Sequence, residues 1–176
     1  MTTEPGQYGF LFDERRCVQC RTCELACKST CDVEPGVRWR RLTEEWAGAY
    51  PALARTFFSL ACMHCATPAC AEACAAGAIS KRPGDGIVVV DRAKCDGCRD
   101  CLAACPYAVP QFGSDGTMQK CDYCLGVGRE PACTQSCPAD ALVYGPLEEL
   151  RTAAVARATK TLDGTETTGP SIVIVT

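Results

Sequence analysis

An α+β fold assembled from a repeated small unit is predicted by three observations. Sixteen of the 17 cysteines in this chain of 176 residues fall into four groups, and every group ends in C-x3-C. The repetition extends beyond the cysteines. "FLFDERRCVQCRTCELACK" and "VVVDRAKCDGCRDCLAACP" align without a gap, each reading as a short apolar strand, an acidic corner and a cysteine loop. The last three groups then run through a turn into a short apolar segment, as "CAAGAI", "CPYAV" and "CPADAL". Strand, loop, short helix and strand is the predicted unit.

Taken in order, the first strand is the apolar stretch around "FLF" ahead of Cys17. An insert over residues 28–60 separates the first two groups, and within it "RWRRLTEEW" alternates as a strand does. Trp39, Trp46, Tyr50, Phe57 and Phe58 lie in this insert. Phe57 and Phe58 are assigned to a core, and the tryptophans are left open between core and a docking face. "GIVVV" and "SIVIV" are strand-sized apolar runs. "GPLEELRTAAVARATK" reads as a helix, with Pro146 near its start, acids in the first turn and bases later, and with Leu147, Leu150 and Val155 as its packing stripe.

Composition excludes several classes of function. Five Phe, five Tyr and two Trp leave the core poor in large side chains, so something other than apolar packing must hold the chain together. A disulfide scaffold belongs to short secreted chains, and an odd number of cysteines would leave one unpaired. "MTTEPGQYGF" lacks the basic and apolar stretches of a secretory signal, and no run approaches the roughly 18 apolar residues of a membrane span. A net charge of −3 without clustered Lys or Arg argues against nucleic acid.

The groups are Cys17, Cys20, Cys23 and Cys27; Cys62, Cys65, Cys70 and Cys74; Cys95, Cys98, Cys101 and Cys105; and Cys121, Cys124, Cys133 and Cys137. The first and third keep C-x2-C-x2-C-x3-C, while the second and fourth widen the middle gap. Cysteines at such steps wrap a loop around one small object, each sulfur at a different corner of a cubane. In the C-x2-C-x2-C-x3-C-P run the fourth cysteine serves the neighbouring cluster, so Cys27 is expected to do so. Pro106 and Pro138 complete that signature in the third and fourth groups, while Lys28 and Ala75 stand there in the first two. Zinc is the structural alternative, but its knuckles need neither a third cysteine at the next step nor a fourfold repeated x3 exit. Each four-thiolate cubane carries about −2, so a chain with four would sit at about −11. Arg16, Lys28, Lys94 and Lys120 stand beside the groups to offset that charge.

On "RCVQCRTCELACK", "CMHCATPAC", "DGIVVVD", "CDGCRDCLAACPYAVPQF", "KCDYC" and "CPADALVYGPLEEL", the chain resembles the four-cluster iron–sulfur subunits of molybdopterin oxidoreductases, closest to that of dimethyl sulfoxide reductase. The resemblance implies two interleaved, pseudo-symmetric ferredoxin-like modules over residues 1–150, followed by a helix end and terminal strand over 151–176. It pairs the first group with the fourth and the second with the third. The implied ligand sets are Cys17, Cys20, Cys23 and Cys137; Cys27, Cys121, Cys124 and Cys133; Cys62, Cys65, Cys70 and Cys105; and Cys74, Cys95, Cys98 and Cys101. Four [4Fe–4S] clusters follow, passing single electrons between a molybdenum- or tungsten-pterin catalytic subunit and a quinone-reactive membrane anchor. The implied location is peripheral at a prokaryotic cytoplasmic membrane, either cytoplasmic or exported folded with a twin-arginine partner.

No phosphate loop and no nucleophile–base–acid trio appears, so the chain is expected to be no enzyme by itself. His64, the one histidine, stands between Cys62 and Cys65, with a cluster sulfur, a partner subunit or a backbone group as its partner. Cys31 lies outside all four groups and reads as an ordinary reduced thiol, with a redox or regulatory role as the alternative. Two further assignments remain open on cysteine spacing: the equivalent subunit of a formate dehydrogenase or hydrogenase complex, and a free-standing polyferredoxin.

Overall fold

The computed structural model describes residues 6–128, 130–162 and 165–176. The fold is α+β. In chain order its elements are β1 (Tyr8–Asp13), α1 (Thr22–Thr30), β2 (Arg41–Ala47), β3 (Ala54–Leu60), α2 (Ala69–Glu72), β4 (Ile79–Lys81), β5 (Val88–Val90), α3 (Asp100–Ala104), β6 (Gln111–Phe112), β7 (Met118–Gln119), α4 (Ala132–Gln135), β8 (Leu142–Pro146), α5 (Leu147–Ala154), β9 (Thr159–Lys160), α6 (Thr165–Thr168) and β10 (Ile172–Val175). The helices bearing cysteines have nine residues or fewer, too short to persist without tertiary support.

A four-stranded sheet in the order β8-β1-β10-β9 forms the largest layer. β1 runs antiparallel to β8, with Phe10 opposite Tyr144, and parallel to β10, with Phe12 opposite Ile174. A Cβ on Gly9 would lie 2.5 Å from the Ser171 carbonyl oxygen, so this position takes glycine for the close approach. The strand before the first cysteine group thus pairs with the strand after the fourth. β5, before the third group, pairs antiparallel with β4, after the second. The two acidic corners match as well: Asp13 accepts the Arg15 N–H and Asp91 accepts the Ala93 N–H, at 3.0 and 3.1 Å, both as Asx turns.

One core cluster joins Phe10, Phe12, Ile87, Val109, Tyr123 and Leu142 to buried motif cysteines. A second lies under α5, where Leu147, Leu150 and Ala154 meet Leu11, Val173 and Val175. The stripe expected for this helix needs correction. Val155 is 82% exposed, because α5 ends at Ala154 and that residue takes the inward position. Past the helix, Arg157 folds back to pair with the buried carboxylate of Asp13.

In the insert, β2 and β3 form an antiparallel ribbon. Phe58 packs edge-on against Phe12, but Phe57 lies under the Arg55 guanidinium and outside the core clusters. Of the open tryptophans, Trp39 packs on the core and donates to Gln119 at 3.0 Å, while Trp46 is exposed near the ribbon tip.

Candidate iron–sulfur sites

The four cysteine loops share a backbone turn that their side chains disguise. In each, the residue just before the second cysteine has positive φ: Gln19 at 58°, His64 at 42°, Gly97 at 74° and Tyr123 at 58°. Such left-handed turns direct successive amides into a concavity that favours negative charge. Asx turns add to this in the third and fourth loops, where Asp96 accepts the Cys98 N–H and Asp122 the Cys124 N–H. A second positive φ recurs three residues beyond the last cysteine of the later groups, at Gly77, Ala108 and Asp140. One residue after the first and last of these, the amides of Ala78 and Ala141 donate to the sulfurs of Cys74 and Cys137, both at 3.3 Å.

Tertiary packing brings cysteines of different groups together. Cys17, Cys20, Cys23 and Cys137 line one pocket, walled by Phe12, Leu42, Ser59 and Leu142. Cys74, Cys95, Cys98 and Cys101 line another, walled by Ile79, Phe112 and Met118. Packing of α1 on α4 brings Cys27 among Cys121, Cys124 and Cys133. Packing of α2 on α3 brings Cys105 into electrostatic reach of Cys62, Cys65 and Cys70.

These donor sets suit an iron–sulfur group chemically. Burial pushes the thiols of Cys65 and Cys101 up to about 11 and that of Cys70 up to about 12, neighbouring thiolates adding to the effect. Such sulfurs become thiolates only when a cation compensates them, and metal binding supplies that charge while releasing protons. Among the described residues, no three His, Cys, Asp or Glu side chains stand where one metal ion would bind them together. A cubane gives each sulfur its own iron, so its ligands stand apart.

The 4Fe-4S dicluster domain model matches residues 53–147. The probable anaerobic dimethyl sulfoxide reductase chain YnfG of Escherichia coli is 45% identical, over 86% of this chain and 78% of its own length. An anaerobic dimethyl sulfoxide reductase chain of Haemophilus influenzae is 41% identical, over 96% and 88%. The chain belongs to the family of dimethyl sulfoxide reductase iron–sulfur subunits. The thiosulfate reductase electron transfer subunit PhsB of Salmonella typhi is 40% identical over 82% of this chain and 78% of its own length. Within the family frame, the dicluster model covers the last three cysteine groups, while the first group and strands β1 and β10 lie outside it.

Several side chains around the cysteines of this iron–sulfur subunit escape a reading by spacing. Of the basic residues flanking the groups, Lys94 and Arg16 sit in exposed ion pairs with Asp91 and Asp140. Lys28 is tied to the carbonyls of Glu34 and Val37. Lys120 is buried, its ammonium donating to the carbonyls of Val88 and Cys121. Among the described residues the other buried cation is Arg40, which sequence reasoning missed because it lies 13 residues from Cys27, inside a stretch that alternates like a strand.

His64 is wholly buried, its Nδ1 accepting the Val88 N–H at 2.9 Å. Its partner is therefore backbone, and its ring lies 3.8 Å from that of Tyr123. Burial, aided by Lys120, holds the imidazole well below its usual value, so the neutral ring carries its proton on Nε2. That Nε2 and the Tyr123 hydroxyl are buried without a hydrogen-bond partner. Cys31 lies beside a cysteine of another group, its sulfur 3.7 Å from that of Cys124. Its contacts with Cys124 and Cys27, together with burial, hold its thiol well above the usual value, and the same contact lowers that of Cys124.

Proposed function

We propose that this chain is an electron-transfer subunit of an oxidoreductase complex, carrying four [4Fe–4S] clusters between a molybdenum- or tungsten-pterin catalytic subunit and a quinone-reactive membrane anchor. The observation that carries it is the meeting of Cys137 with Cys17, Cys20 and Cys23, more than a hundred residues away, in one pocket. When bound, the clusters supply the one-electron chemistry. The remaining sets are Cys27 with Cys121, Cys124 and Cys133; Cys105 with Cys62, Cys65 and Cys70; and Cys74 with Cys95, Cys98 and Cys101.

In this reading residues 1–150 are two pseudo-symmetric ferredoxin-like modules, and 151–176 extend them. The equivalent strand pairs β1–β8 and β4–β5 support that symmetry. The chain's residues fix the spacing of the sulfurs, exclude water with Phe12, Leu142, Ile79 and Met118, and donate amides to sulfur, which tunes affinity and potential. The names of the relatives support a catalytic partner, since they are chains of reductases. Among the described residues no helix is long and apolar enough to cross a membrane. A separate anchor is accordingly part of the proposal, with the chain peripheral at the cytoplasmic membrane of a prokaryote.

Metal and sulfide analysis of anaerobically purified protein tests the reading, with about sixteen of each per chain expected. Cys137→Ala is expected to remove about a quarter of the iron. Stoichiometric zinc without iron would end the electron-transfer account. Recovery from the native host as a free 18.8 kDa protein would end the subunit reading.

A further inference from the structure

Arg40 precedes β2 and is 2% exposed, heading the fully buried side chains by volume. Its Nη1 donates to the Ser59 carbonyl at 3.2 Å and to the Ser59 hydroxyl at 2.9 Å. Its guanidinium carbon stands 4.3 Å above the centre of the Phe10 ring. Nε and Nη2 have no hydrogen-bond partner, and no ion pair joins Arg40 to a carboxylate among the described residues. A buried guanidinium lacking counter-charge is costly and persists only where negative charge compensates it.

Geometry links it to thiols of two different sites. The Ser59 hydroxyl that accepts from Arg40 lies 3.7 Å from the sulfur of Cys23, which belongs to the pocket that Cys137 completes. Cys27, of the neighbouring set, lines one pocket with Arg40, and Cys121 and Cys133 of that set lie within its electrostatic reach. Glu24, the carboxylate nearest Cys23 in effect, is engaged by Arg21, Arg38 and the Leu42 amide. We propose that Arg40 is the shared counter-charge of the two clusters built on the first and fourth cysteine groups, raising the reduction potential of both.

The inference rests on the cluster reading above. A four-thiolate cubane that accepts one electron from a reductant passes from about −2 to about −3. A fixed positive charge in a poorly screened interior favours the more negative state. Arginine suits the position because it stays protonated where a buried lysine would tend to lose its charge. Lys120, the other buried cation among the described residues, lies in electrostatic reach of Cys70 of the other half, so removal of Arg40 should act on one half selectively.

The test is redox titration of the anaerobic holoprotein with mediators and a one-electron chemical reductant, followed by EPR and accompanied by iron quantification. Signals are assigned with Cys137→Ser and Cys105→Ser. In fully loaded Arg40→Gln, the reduction equilibrium constants of both clusters of the first and fourth groups are expected to fall tenfold or more, about 59 mV for one electron. The other two clusters should change less than threefold. Arg40→Lys should shift less than Arg40→Gln at a pH low enough to keep the buried ammonium charged, and should approach it as pH rises.

An unchanged potential at either cluster of the first and fourth groups in fully loaded Arg40→Gln would overturn the proposal and leave the cluster reading intact. If Arg40→Gln loses iron, Arg40→Lys decides. A fall in that loaded variant that grows as rising pH discharges the buried ammonium supports the role of charge, and a tenfold or larger fall that is the same at every pH overturns it in favour of packing. Wild-type protein without iron would overturn both.

Discussion

Phe10 shows how one residue serves packing and electrostatics together. It is 1% exposed, meets Tyr123 edge-on at 4.9 Å and offers its face to Arg40. Phe10→Ala would therefore remove a core aromatic and uncover a cation. A loss of about 3–5 kcal/mol is expected, measurable by anaerobic chemical denaturation followed by circular dichroism. Cys31 carries a different expectation. Its sulfur lies 3.7 Å from that of Cys124 and outside the four proposed ligand sets, so Cys31→Ala should retain the iron content of the wild type. Loss of a cluster in that variant would make Cys31 a ligand. Neither neighbour was legible in the sequence, because Arg40 and Cys31 meet their partners across tens of residues of chain, where spacing carries no signal.

At the scale of elements, cysteine spacing made the loops legible and the sheet only in part. β1, β5, β10 and α5 were readable as apolar runs or a capped helix. The position of β10 was not, because nothing in "SIVIV" says which strand it will join. It lies between β1 and β9 with Val173, Ile174 and Val175 buried. Each such side chain contributes about 1.5–3 kcal/mol, so truncation after Gly169 should cost more than a marginally stable fold can spare. Limited proteolysis during anaerobic expression checks this, with rapid degradation expected. Persistence of a fully loaded truncated chain would demote β10 to an appendage. The exposed Val155 has a similar origin: its periodic position was right for a longer helix, but the chain leaves the helix at Ala154 to send Arg157 to Asp13.

At the scale of the whole molecule, the cysteines are structural as well as electronic. Cys27, Cys62, Cys101, Cys121, Cys124 and Cys133 are buried among the core side chains, in a chain with few aromatics. Metal–ligand bonds then carry folding free energy directly. Removing iron with chelator under mildly acidic conditions should collapse helical and sheet signals in circular dichroism together with the visible chromophore. Retention of native far-UV signal after iron loss would mean that packing alone holds the fold. Because the proposed sets join residues as distant as Cys17 and Cys137, which line one pocket, loss of metal should loosen both ends of the chain at once.

The sequence by itself determined the sixteen cysteine positions, the repeated unit and the family, since local spacing and duplicated segments are written in chain order. The tertiary structure decided which groups meet, where the last strand inserts, and which cation is buried between two sets of sulfurs. Those outcomes depend on the packing of α1 on α4 and α2 on α3 and on the pairing of β1 with β8 and β10. Burial is a property of the packed molecule, so the charge that Arg40 contributes becomes consequential only once water has been excluded around it.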